Sequence, residues 1–316
     1  MNAPVLRISI VFVLLFLVSG CIWEILLGGN AEDGRVTVLV TDAPVDNVQQ
    51  VRLTIEAVEF VSEEGDTERL ELEGGFTIED MLQLRDGQTR TLLNDRTLAS
   101  GTYDRVRLHI VGGNGDSLVR ERTGGEFELY TPGQAPGSSG SQDGIQVTGE
   151  VRIEAGEHTR IAVDVDLRRG LWKIPAEDHY ILIPALRVVD TEEAGGVRGE
   201  VAASLLEQNS CTNDPGSDRG NAVYVYSGAN AVAGDIHLNQ SGESLSLNNP
   251  VTAVPVQQNT NTGVYEYRVD FLPEGDYTLA LTCQALNDDP ALQDSIRFLD
   301  AEERAVEAGS RAELDF

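Results

Sequence analysis

Carboxylates are the only reactive groups in surplus: 52 aspartates and glutamates face 23 lysines and arginines, a net charge of -29. Asp42 and Asp46 flank Pro44, Asp164 and Asp166 alternate with Val165 on one strand face, and Asn213, Asp214, Asp218 and Asn221 crowd the stretch after Cys211. Hard oxygens on loops suit Ca²⁺, which takes about six to eight of them. The 213–221 stretch is therefore the candidate metal site, although it lacks the spacing of a twelve-residue calcium loop. The competing reading is a solvated acidic surface. No other cofactor is implied.

Other chemistries lack their residues. His109, His158, His179 and His237 are dispersed, with no H-E-x-x-H among them. Lys173, the only lysine, follows Trp172 and not a glycine loop, so a phosphate-cradling loop is excluded. Gly113-Asn114-Gly115 reads as a turn, and Ser138-Ser139-Gly140 lacks the strand–turn–helix setting of a nucleophile elbow. The chain is expected not to be an enzyme, and an uncharacterised hydrolase ranks third among its readings. Sugar binding needs an exposed ring. Trp172 is the candidate for it, since Trp23 lies beside Cys21 and Tyr224 and Tyr226 read first as core. The charge repels nucleic acid. Arginine in place of lysine fits either salt adaptation or GC-rich coding.

Period-two alternation dominates the chain. Strands are expected at 35–41, 48–61, 103–111, 161–167 and 180–189, the last with Pro184 at a bulge. Val51, Leu53 and Ile55 share one parity and Val58 and Phe60 the other, which places a bulge near Glu56-Ala57. A short helix fits 78–84, and 131–144 is a loop. Beyond an acidic, glycine-containing linker at 191–196, strands return at 197–203, 222–226, 264–271, 277–283 and 311–316. The fold class is all-β: two antiparallel β-sandwich domains in tandem, at 35–190 and 197–316.

Arg7, the apolar run 8–18 and Ser19-Gly20 before Cys21 have the layout of a secretory signal. They resemble the lipobox of bacterial lipoproteins. That resemblance implies cleavage of residues 1–20, fatty acylation (palmitate) of Cys21, a tether over 21–34, and a membrane partner engaged through acyl chains. With Ile22 next, it implies the outer membrane, facing periplasm or cell surface. An uncleaved membrane helix is the rival reading. Outside the cytoplasm, Cys211 and Cys283 form an even pair expected to be oxidised.

Two further resemblances follow from motifs. Val36-Thr37-Val38-Leu39-Val40-Thr41-Asp42-Ala43-Pro44, the 48–61 strand, Gly101-Thr102-Tyr103 and Asp164-Val165-Asp166 resemble the bacterial lipoprotein domain called domain of unknown function 4382. Gly263-Val264-Tyr265-Glu266-Tyr267 and Phe271-Leu272-Pro273-Glu274-Gly275-Asp276-Tyr277-Thr278-Leu279 resemble the transthyretin-like, carboxypeptidase-regulatory sandwich. That family supplies non-catalytic modules. The resulting expectation is a lipid-anchored binding or structural module contacting an envelope protein or a glycan. The alternative is an accessory carbohydrate-binding lipoprotein.

Overall fold

The structure is a computed structural model that describes residues 33–43, 45–138, 144–174, 177–208, 211 and 218–316. The leader, Cys21, and the tether as far as residue 32 lie outside them, as do Asn213 and Asp214. The described chain is all-β.

The first half contains β1 (Gly34–Ala43), β2 (Val48–Ser62), β3 (Thr67–Ile78), β4 (Arg90–Leu98), β5 (Gly101–Ile110), β6 (Leu118–Glu121), β7 (Glu126–Tyr130), β8 (Gly144–Ile153) and β9 (His158–Asp166). A one-turn helix, α1 (Leu167–Gly170), leads into β10 (Leu171–Lys173), β11 (His179–Leu182) and β12 (Leu186–Asp190). One sheet has the order β12-β9-β1-β4; the other runs β10-β11-β7-β6-β2-β5-β8, with β3 also paired to β2. Val36, Val38 and Val40 on β1 and Ile161, Val163 and Val165 on β9 pack with Leu53, Ile55, Val58 and Phe60 of β2 into one core. The change of parity in β2 is resolved by a register shift between Ile55 and Ala57, where the sequence places it. At one edge the sheets close tightly: a Cβ on Gly149 would come 2.3 Å from the Val188 side chain.

Three expectations change in detail. The apolar run 180–189 is not one strand. It divides into β11, parallel to β7, and β12, antiparallel to β9 in the other sheet. Pro184 stands where the chain crosses over, and it has no N–H to give either ladder. The sheets are mixed, because β1–β9, β11–β7 and β13 (Ala194–Val201) with its C-terminal partner are parallel pairs. The helix at 78–84 shrinks to a 3₁₀ turn, Met81–Gln83, capped by the Asp80 carboxylate on Leu82 N.

The second half starts earlier than the linker suggests, because β13 takes up Ala194-Gly195-Gly196 and only residues 191–193 turn. After α2 (Ala203–Leu206) come β14 (Ala222–Ser227), β15 (Thr252–Pro255), β16 (Gln257–Gln258), β17 (Tyr265–Pro273), β18 (Gly275–Thr282), β19 (Phe298–Val306) and β20 (Arg311–Glu313). Two sheets result, β16-β17-β13-β20 and β15-β14-β18-β19. In the latter, β15, β14 and most of β18 are buried on both faces. Val223, Val225, Leu279 and Leu281 face the partner sheet. Ala222, Tyr224, Tyr226 and Ala280 face outward, under Ile236 and Leu238 of a long loop and under Trp172, Ile181 and Ile183 of the first half.

Two local devices fix the turns. Leu98-Ala99-Ser100-Gly101-Thr102-Tyr103 and Leu272-Pro273-Glu274-Gly275-Asp276-Tyr277 share the pattern L-x-x-G-x-Y. In each, the tyrosine hydroxyl donates to the carbonyl four residues back, Tyr103 to Ala99 and Tyr277 to Pro273, both at 2.9 Å. Both are tyrosine corners. Cys211 and Cys283 form a disulfide that ties the loop before β14 to the end of β18.

Tyr103→Phe and Tyr277→Phe should each cost about 1 kcal/mol, read as a lower urea midpoint at unchanged slope. Replacing both Cys211 and Cys283 by serine frees a crosslink of sequence separation 72. On loop-closure entropy this should cost about 4 kcal/mol in the same measurement.

Candidate functional site

Strands β1 and β9 run parallel and end together, with Thr41 opposite Asp164 and Ala43 opposite Asp166. The aspartate pairs picked out in the sequence therefore meet at one place, and that place is the seam between the halves. Thr41 fastens the 84–88 segment beneath it by donating to the Leu84 and Gln88 carbonyls. Asp166 ends β9 and caps α1, its Oδ1 accepting from Arg169 N at 3.0 Å. That cap aims two consecutive arginines across the seam.

Four hydrogen bonds that cross the seam each pair a charged group of the first half with a neutral group of the second. Asp166 Oδ2 accepts from the Thr252 hydroxyl at 3.0 Å. Arg169 donates to Val251 O at 3.0 Å. Arg187, on β12, donates to Asp164 and also to Phe271 O at 3.4 Å. Arg168 donates to Asp46 Oδ2 at 2.8 Å, and the same oxygen accepts from Gly220 N at 3.3 Å. Phe271 has φ +56°, a left-handed conformation unfavourable for a bulky side chain.

Buried charge dominates the electrostatics. Asp42, Asp164, Asp166 and Arg168 are each at most 6% exposed. Burial pushes the Asp42 carboxyl well above the usual carboxylate range, and the neighbouring Asp164 and Asp166 charges push it further. Its Oδ1 accepts from Leu167 N at 3.3 Å, while its Oδ2, like Asp164 Oδ1, has no partner among the described residues. Burial also raises Asp166 to about 6. Behind Arg168, the Tyr224 hydroxyl donates to Asp288 Oδ2 at 2.6 Å, and burial raises that carboxyl to about 6 as well.

The seam leaves a cavity of about 20 Å³, lined in part by Thr41, Asp42, Asp164, Arg187, Thr252 and Asp270. That is room for a water, not for a substrate. A larger polar groove of about 610 Å³ opens on the outer face of the second half, along Arg198, Glu200, Gln257, Gln258, Glu266 and Glu313.

The other sequence candidates are placed as follows. Trp172 is 8% exposed in the core between the halves, its Nε1 donating to Arg169 O, so its ring offers no face for stacking sugars. Tyr224 and Tyr226 are core, as their shared strand face suggests. In the 213–221 stretch, Asp218 accepts from Gln258 N and the Asn221 carbonyl from Val256 N. Among the described residues no group of three or more histidines, cysteines and carboxylates is arranged to hold a metal. The amides of Asn239, Asn249 and Asn259 brace their own loops. The Thr37 hydroxyl lies 2.9 Å from His158 Nε2, but Thr37 is 4% exposed and also accepts from Asp95 N. It cannot meet a substrate. The seam arginines escaped the sequence reading, although Arg168-Arg169 directly after a strand ending in Asp166 was the available signal.

Asp166→Asn tests the seam electrostatics. The raised carboxyl stabilises the fold fully below its unfolded value near 4, and that contribution is lost as pH rises through about 6. The amide keeps the Arg169 cap and can donate to Thr252. Thermal melts should show the variant gaining about 2 kcal/mol over the parent at pH 8 and nothing at pH 4. A variant less stable at both pH values would contradict the assignment.

No curated protein sequence matches the chain. Among solved structures, it is similar to a leucine-rich repeat protein from Bacteroides thetaiotaomicron (13% identity, TM-score 0.24) and to the Bacillus anthracis TIE protein (12%, 0.20). It spans only 26% and 34% of their lengths, while 90% of this chain is covered in each. A putative adhesin from Bacteroides ovatus is similar at 10% identity and TM-score 0.19, over 89% of each chain. Residues 33–184 match the family described as "Domain of unknown function (DUF4382)", a stretch that carries every seam residue of the first half except Arg187. The chain thus contains a DUF4382 domain, closed off by β12 just beyond the matched residues.

Proposed function

We propose that this is a lipid-anchored protein of the cell envelope, acting as a non-enzymatic binding or structural module. The reading rests chiefly on the direction of β1. Its first residue, Gly34, packs against Glu154 at the β8–β9 turn, and its last, Ala43, lies at the seam. Ten extended residues span about 30 Å. A tether attached at Cys21 would hold the far end of the first half at the membrane and hold the second half outward. The disulfide supports an oxidising compartment. The outer polar groove is the surface a partner would meet.

Protease shaving of intact cells expressing a C-terminally tagged chain tests this reading, with Cys21→Ala as control. The tag should fractionate with the outer membrane only when Cys21 is present, and shaving should then report which side it occupies. Recovery of the tag in the soluble fraction regardless of Cys21 would remove the anchor from the proposal.

A further inference from the structure

One long strand of the second half closes its sheet with no strand on its far side. In the order β15-β14-β18-β19, β19 pairs only with β18, and its residues 300–305 are all exposed. The pairing decides which main-chain groups are free. In a strand, the N–H and C=O of one residue point to the same side, and the side alternates from residue to residue. Gly228 N donates to Asp276 O, so Asp276, Thr278 and Ala280 turn toward β14. Tyr277, Leu279 and Leu281 then bond their partners Arg304, Glu302 and Asp300. The amides and carbonyls of Ala301, Glu303 and Ala305 are left pointing away from the sheet. Ala301 N accordingly donates to the Asp300 carboxylate, 2.9 Å away, and not to β18. Two of these three residues are alanines, and the Glu303 carboxylate is drawn aside to Asn230 N at 3.0 Å, so no bulky side chain covers the edge.

A groove of about 490 Å³ follows this edge toward β20, lined in part by Asp276, Glu303, Arg304, Glu307 and Glu313. The arginines of β13 and β20 are already engaged, Arg198 with Glu313 and Arg311 with Asp270. Asp276, Asp300, Glu302, Glu303 and Glu307 form no ion pair with the described residues, and Arg304 is the one cation on β19. Charged side chains commonly guard a free edge against pairing with its like. On a chain of net charge -29, this acidity turns away a second copy and favours a strand of opposite sign.

We propose that β19 is a docking edge, to which an extended, basic segment of a partner protein adds as a further strand. The main chain of that segment bonds Ala301, Glu303 and Ala305. Its basic side chains lie beside Asp300 and Glu302, which share one face, and its small ones beside Ala301 and Ala305 on the other, so basic and small residues alternate along it. The edge neighbours the outer polar groove at Glu313 but requires no lipid anchor.

The test titrates the full chain with a synthetic peptide that alternates arginine and threonine. A second peptide of equal length and charge carries proline in place of each threonine and cannot form a ladder. Hydrogen exchange at the amides of 301, 303 and 305 should slow at least tenfold with the first peptide, while the centre of β2 is unchanged. The proline peptide should bind at least tenfold more weakly. Ala301→Pro and Ala305→Pro each remove one outward N–H and leave the charge as it is, and each should weaken binding of the first peptide at least tenfold. Equal binding of the two peptides would reduce the interaction to charge alone and overturn the docking edge. So would unchanged exchange at the three amides, or undiminished binding in both variants. Protection of β19 that grows with protein concentration and without peptide would place a second copy there and reject the basic partner. If the proline variants do not fold, the two peptides on the parent chain decide.

Discussion

The rest of the structure depends on three guanidinium groups taken out of water between two packs of strands. Isolated, each such charge would be prohibitively costly to bury, and the cost is offset only where partner and geometry are both right. Here Asp46, Asp164 and Asp166 supply the partners, and the ends of two parallel strands supply the geometry. The cap on α1, the seating of Trp172 over the second half and the burial of the outward face of the β15-β14-β18-β19 sheet all follow from these residues. Much of what the arginines recognise across the seam is main chain, at Val251 and Phe271. Strand position thus matters there more than side-chain identity.

A seam of this kind also explains a composition that otherwise looks wasteful. The sheet carrying Tyr224 and Tyr226 has two apolar faces, which a lone sandwich in water would not need. Its second face is covered partly by its own loop and partly by Trp172, Ile181 and Ile183. The first half therefore does more than precede the second; it completes its core.

What could be read in the sequence followed burial. Strands with one wet and one dry face, such as β5 and β9, announce themselves by alternation, and so did the parity change inside β2. Strands β3, β4 and β19 did not, because little of either face is buried and polar or charged residues interrupt their apolar positions. The run 180–189 misled because continuous apolar residues fit one central strand as well as two shorter ones in different sheets. The aspartates of the seam were visible as pairs, but their meeting required the parallel alignment of β1 with β9 across 125 residues of chain, from Asp42 to Leu167. Local pattern carries no trace of such a pairing. Trp172 illustrates the same limit: its type suggested a surface platform, and only the second half, packed over it, makes it core.

The polarity of β1 has a mechanical consequence. A pull on the chain before Gly34, resisted by whatever grips the second half, would travel along β1 toward the seam and return through β9. Because β1 is bonded on both sides, to β4 and to β9 over nine paired positions, and the load lies along the strand axis, those bonds would bear it side by side in shear. They would not open one after another like a zipper. Resistance to such a load is set by the barrier to rupture and not by equilibrium stability. The strand that opens the family match is thus also the member best placed to carry tension.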